Sequence, residues 1–150
     1  MLRQQRITAL NAVTATTVSN KFWVGGAKRI GLLFRRSAHS SGSTAFSVKG
    51  SLDAYDAAVG ALDTRGNKLG GSGVAMTALN MLVNNVENTN EQTRTRSTDV
   101  TLSADGDAFA WIEADVLVNW LEITATETTD GTHSAFIIIE EEDGTGIFPK

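Results

Sequence analysis

Apolar and polar residues alternate with a period of two over much of the chain, the signature of strands with one buried face. In RIGLLFRR, Ile30, Leu32 and Phe34 share one face, while Gly31, Leu33 and Arg35 share the other. The Ser/Gly-rich SAHSSGST breaks that strand. TAFSVKGSL then sets Phe46, Val48 and Leu52 against Ala45, Ser47, Lys49 and Ser51, so the two segments read as an antiparallel hairpin with a loose loop. LNMLVNNV places Leu79, Met81 and Val83 together. TRTRSTDVTLS reads as one long strand after an Asn-rich polar turn. Its Thr95, Ser97, Asp99 and Thr101 oppose Arg94, Arg96, Thr98, Val100 and Leu102. A further strand runs from about Phe109 to Ala114. WLEITATETT turns Leu121, Ile123 and Ala125 inward, and the unbroken apolar run Ala135 to Ile139 predicts a central strand covered on both faces. Asp-Gly turns at 105–106 and 130–131 separate these strands.

DAYDAAVGALD, residues 53–63, is the exception and predicts a short helical turn with Asp53 as N-cap, followed by a flexible RGNKLGGSG loop. No amphipathic helical period extends over three turns. Six to eight strands and abundant threonine predict an all-β chain, an antiparallel β-sandwich or jelly roll. Residues 1–20 fall outside the pattern and read as an N-terminal arm or an extra strand; residues 21–150 read as the sandwich domain. An arm of this kind can pair with the sheet edge of a neighbouring copy.

Composition narrows the chemistry. The 150 residues include no cysteine, one proline (Pro149) and two histidines (His39 and His133). Disulfides, thiolate nucleophiles and Cys-ligated zinc are excluded. Both histidines stand in Ser/Thr/Gly turns, a poor setting for a nucleophilic triad. GNKLGGSG lacks the lysine and following helix of a phosphate-binding loop. Asp105 and Asp107 lack the spacing of an EF-hand, and the run Glu140 to Asp143 reads as a solvated strand end or a partner for basic residues. No catalytic, metal or cofactor-binding residue is assigned, and no enzymatic activity is expected. Among the tryptophans, Trp111 is expected in the core and Trp120 at an interface, with a sugar platform as the alternative for either. The N-terminal segment lacks the apolar run of a secretory signal, and no stretch is long and apolar enough to predict a membrane span.

Charge is segregated along the chain. Residues 1–50 carry eight basic residues and no acidic one; residues 51–150 carry five basic residues and all 17 acidic ones, for a net charge of −4. Such a split suits docking between proteins of complementary potential. Nucleic acid is not expected, because neither a recognition helix nor a set of stacking aromatics accompanies the basic segment. The contact residues expected from this layout are Arg3 and Arg6 in the arm, Arg29, Arg35 and Arg36 in the basic strand, Arg65 and Lys68 in the glycine-rich loop, and Trp120.

Residues 40–142 carry a resemblance. The FSVKGSLD strand behind a Ser-Gly turn, the Asn-rich turn leading into a Thr-rich strand, and WLEITATETTDGT resemble small β-sandwich structural proteins of tailed bacteriophages. These serve as head decoration (cement) proteins or as tail and fibre parts. The resemblance implies docking on the capsid exterior of a virion, after synthesis in the host cytoplasm. It further implies contacts with the major capsid protein and with neighbouring copies, as a homotrimer, without a cofactor. It transfers no functional residue.

Overall fold

The computed structural model describes residues 2–54, 59–84 and 94–142. The strands in chain order are β1 (Leu2–Val13), β2 (Thr17–Val18), β3 (Phe22–Trp23), β4 (Arg29–Ser37), β5 (Thr44–Ser51), β6 (Val59–Leu62) and β7 (Lys68–Gly70). They continue as β8 (Thr77–Ala78), β9 (Met81–Asn84), β10 (Arg94–Ser97), β11 (Asp99–Leu102), β12 (Gly106–Ile112), β13 (Trp120–Glu127) and β14 (Thr132–Glu142). All pairings are antiparallel. A six-stranded sheet in the order β1-β14-β4-β12-β9-β10 packs against an eight-stranded sheet in the order β11-β5-β13-β3-β7-β6, with β2 beside β13 and β8 beside β5.

Within these sheets lies a jelly roll. Its halves are β1-β14-β4-β12 and β11-β5-β13-β3: the first of these strands lies beside the last, and successive strands swap sheets except β5 and β11, which pair. The segment from β6 to β10 is inserted between β5 and β11. It widens the six-stranded sheet with β9 and β10 and the eight-stranded sheet with β7 and β6.

The core fills the space between the sheets as the alternation dictates. Ile30, Leu32 and Phe34 of β4 meet Phe46 and Val48 of β5, and Leu121, Ile123 and Ala125 of β13 meet Ala135, Ile137 and Ile139 of β14. Phe34 and Phe46 stack across the two sheets with ring centroids 4.8 Å apart. Each of the Ile, Leu, Val and Phe side chains among them stabilises the fold by about 1.5–3 kcal/mol through burial.

Residues 2–13, read as an arm or an extra strand, form a strand that hydrogen-bonds to β14 as the edge of the six-stranded sheet. Four expectations change. The hairpin expected between β4 and β5 is an arch, since the two strands lie in opposite sheets. The long strand of residues 93–103 is broken at Thr98, and β10 and β11 diverge into different sheets. At that corner the Ser97 hydroxyl donates to the Asp99 carbonyl at 2.7 Å and accepts from the Asp99 N–H at 3.3 Å. Leu52 lies past the end of β5 and is exposed. The helical turn expected over 53–63 gives way to strand at Val59–Leu62; residues 55–58, the turn over 85–93 and Asp143 lie outside the described residues.

Candidate docking surface

Cross-strand register assembles the outer face of the six-stranded sheet. Residues opposite each other in an antiparallel pair point to the same side. One row crosses all six strands: Arg6, Ile138, Gly31, Trp111, Leu82 and Arg96. Beside it run Thr8, Phe136, Leu33 and Phe109. These two central rows are mainly apolar. Phe109 is 59% exposed, and Leu33, Trp111, Ile138 and Leu82 are partly exposed. Gly31 leaves a shallow dent, where an added Cβ would meet nothing nearer than 3.9 Å.

Paired charges border these rows. On one side Arg35 donates to Asp107 at 2.8 and 3.0 Å. On the other, Arg29 donates to Glu140 at 2.9 and 2.6 Å, and Arg96 to Glu113 at 3.0 and 2.7 Å. The Arg35 hydrogen bond holds Asp107 below its ordinary pKa, and the Arg29 hydrogen bond does the same for Glu140. Phe136, almost fully buried, is roofed by guanidinium groups: Arg6 lies 3.7 Å from its ring centroid and Arg35 5.9 Å. The central strand predicted to be covered on both faces is thus covered outside, at Phe136, by arginine side chains and, among the described residues, not by a second layer of backbone.

The opposite outer face is closed over its centre by the chain itself. Trp120 is fully buried there, its indole N–H donating to the Asp53 carbonyl at 3.0 Å and its ring meeting Trp23 edge-on at 5.0 Å. Lys21 holds the inserted segment across this site by donating to the carbonyls of Val74 at 2.8 Å and Gly71 at 3.3 Å. The expected roles of the tryptophans are therefore exchanged. Trp120, expected at an interface, is internal because the insertion covers it; Trp111, expected in the core, stands on the open face.

The other predicted contact residues divide by location. Arg6, Arg29 and Arg35 converge on the open face. Arg3 pairs with Glu141 at 3.2 Å along β1, and Arg65 donates to Thr8 at 2.9 Å, fastening the β6–β7 turn to the same strand. Lys68 stands on β7 in the other sheet. Arg36 is corrected outright: it is 1% exposed and cannot serve as a surface contact. Its guanidinium donates to the carbonyls of Ser41, Gly42, Leu102 and Asp130 at 2.8–3.2 Å and ties together the loops at one end of the sandwich. Nearby, buried His133 contacts the Thr44 hydroxyl at 3.0 Å through Nδ1 and Glu127 at 3.4 Å through Nε2. Among the described residues, no group of three or more His, Asp or Glu side chains is placed to hold a metal ion.

Sequence reasoning missed Leu33, Leu82, Phe109 and Ile138 as surface residues. Part of the signal was present: Leu33 and Leu82 fall opposite the apolar residues that alternation groups together, whereas Ile138 sits in a run with no alternation to place it.

A search of solved structures matches this architecture to the crystal structure of the SPBc2 prophage-derived protein YomS. The two chains share a fold. The TM-score is 0.53 at 15% identity, over 94% of this chain and 96% of that one. No protein-family model and no curated protein sequence matches the chain.

Proposed function

We propose that this chain is a structural, non-catalytic component of a tailed-phage particle: a decoration protein of the capsid exterior, made in the host cytoplasm and acting through contacts with the major capsid protein and with neighbouring copies. The observation that carries this reading is the open outer face of the six-stranded sheet, with two largely apolar rows bordered by satisfied ion pairs. Apolar residues gathered in one patch mark association surfaces far better than scattered ones. The jelly roll, used by viral capsid domains, and the fold shared with a prophage-derived protein support the phage setting as analogies of fold.

Co-sedimentation of the purified chain with phage heads lacking it, followed by electron microscopy, tests the proposal. Added density on the head exterior is expected. Density confined to the tail would move the chain to a tail or fibre component, and failure to join any particle would reject the virion role.

The position of Trp111 and Phe109 favours one other reading, a carbohydrate-binding module, because exposed aromatics on a sheet face stack on sugar rings. Binding of a glycan by isolated protomers, lost on Trp111→Ala, would select it.

A further inference from the structure

We propose that the occupant of the open six-stranded face is the same face of a second copy of this chain, so that the protein pairs about a two-fold axis. The inference rests on the docking role proposed above and names the partner.

Charge bears first on the choice. Arg35, Arg29 and Arg96 are answered on their own face by Asp107, Glu140 and Glu113. The borders hold both signs in matched couples, which selects neither a strongly acidic nor a strongly basic partner. An identical face meets the requirement: apolar rows lie on apolar rows, and each border offers both signs to its counterpart. Self-complementarity of this kind defines an isologous contact and closes at two copies, whereas the phage resemblance implied three.

Size agrees. Six strands spaced about 4.8 Å apart, and a nine-residue β4 rising about 3.3 Å per residue, span roughly 700 Å². A stable interface of standard size takes about 800 Å² from each partner. Two sheets can approach face to face at about 10 Å, with the dent at Gly31 receiving a bulky side chain from the other copy. Among the described residues, the remaining outer face is already closed over its centre by Trp120 and the inserted segment, and the apolar residues exposed elsewhere, such as Leu52, Leu62 and Leu117, lie outside the two rows of the six-stranded face.

Sedimentation analysis of the full chain from about 1 to 100 µM, with light scattering, decides the matter. The expected species has twice the 16.0 kDa protomer mass. Gly31→Lys is the main variant, because its Cβ finds only ordinary contacts and the protomer keeps its fold while a cation enters the apolar rows. It should weaken pairing about 30-fold or more, the effect of disrupting one interface hot spot. Phe109→Lys, at an exposed position, should do the same and serves if the first variant fails to fold. A wild-type monomer at 100 µM, an oligomer of another order, or a dimer indifferent to every folded variant would overturn the proposal. A monomer that still joins phage heads would sink the pairing and leave the virion role standing; a dimer that joins no particle would do the reverse. Monomers that bind glycan or capsid protein through Trp111 would assign the face to that partner instead.

Discussion

At the scale of single residues, Arg36 shows how a charge disappears into a fold. Alternation assigns it to the inner side of β4, where it is held by backbone carbonyls. Four backbone carbonyls, from two loops and the end of β11, accept its hydrogen bonds. Replacing it with leucine should cost about 3 kcal/mol or more of unfolding free energy, measured by urea denaturation, because those carbonyls would remain buried without donors. Asp130 fastens the same end from outside. It accepts from the N–H groups of Ser40 and Ser41 and from the Ser40 hydroxyl. These hydrogen bonds, that of the Ser40 side chain foremost, depress its pKa to about 2. A depressed carboxylate stabilises the fold above its unfolded pKa, about 3.9, and that contribution disappears as pH falls toward 2. Melting temperature should therefore drop between about pH 4 and pH 2, and Asp130→Asn should make the drop shallower; an unchanged slope would remove Asp130 from the account. Sequence could not assign either role, because both residues act on backbone atoms brought from distant loops.

Among the elements, the strands of the core were legible because a buried face imposes period two. Ile30, Leu32 and Phe34, and likewise Leu121, Ile123 and Ala125, face inward as the alternation predicts. Pairing was less legible. A Ser/Gly loop such as SAHSSGST serves an arch between sheets as readily as a hairpin within one, and period two does not record which sheet a strand joins. The break at Thr98 was hidden for a related reason: a threonine-rich run satisfies strand propensity on both sides of the corner. The open face was half legible. Leu33, Phe109 and Ile138 were visible as apolar, but only register shows that they are adjacent. The placement of β1 leads to a concrete expectation. Removing residues 2–13 uncovers the long edge of β14 and strips Ile7 and Leu10 from the core. The truncated chain should be largely insoluble or bind a hydrophobic dye, whereas loss of a free arm would leave the melting temperature unchanged.

Across the whole molecule, the segregated charge finds its explanation in topology. The jelly roll sets early strands beside late ones. Basic β1 and β4 therefore lie against acidic β14, and β4 also meets β12. Arg3 reaches Glu141, Arg29 reaches Glu140, and Arg35 reaches Asp107. A one-dimensional imbalance becomes a set of cross-strand pairs, each with a solvent-exposed arginine and each worth little to stability on its own. Read linearly, the basic third pointed to a charged front meeting another molecule; folded, much of that charge is answered within the chain.

The adjacency of the first and last strands also governs how the protein is made. β14 lies between β1 and β4, so neither can complete its pairing until β14 has been translated. A ribosome that stops before β14 releases a product lacking the strand that joins β1 to β4, with both left as open edges. Only a chain that includes β14 can close the six-stranded sheet, and one that stops short of it keeps two unpaired strand edges, the feature that promotes association with other chains.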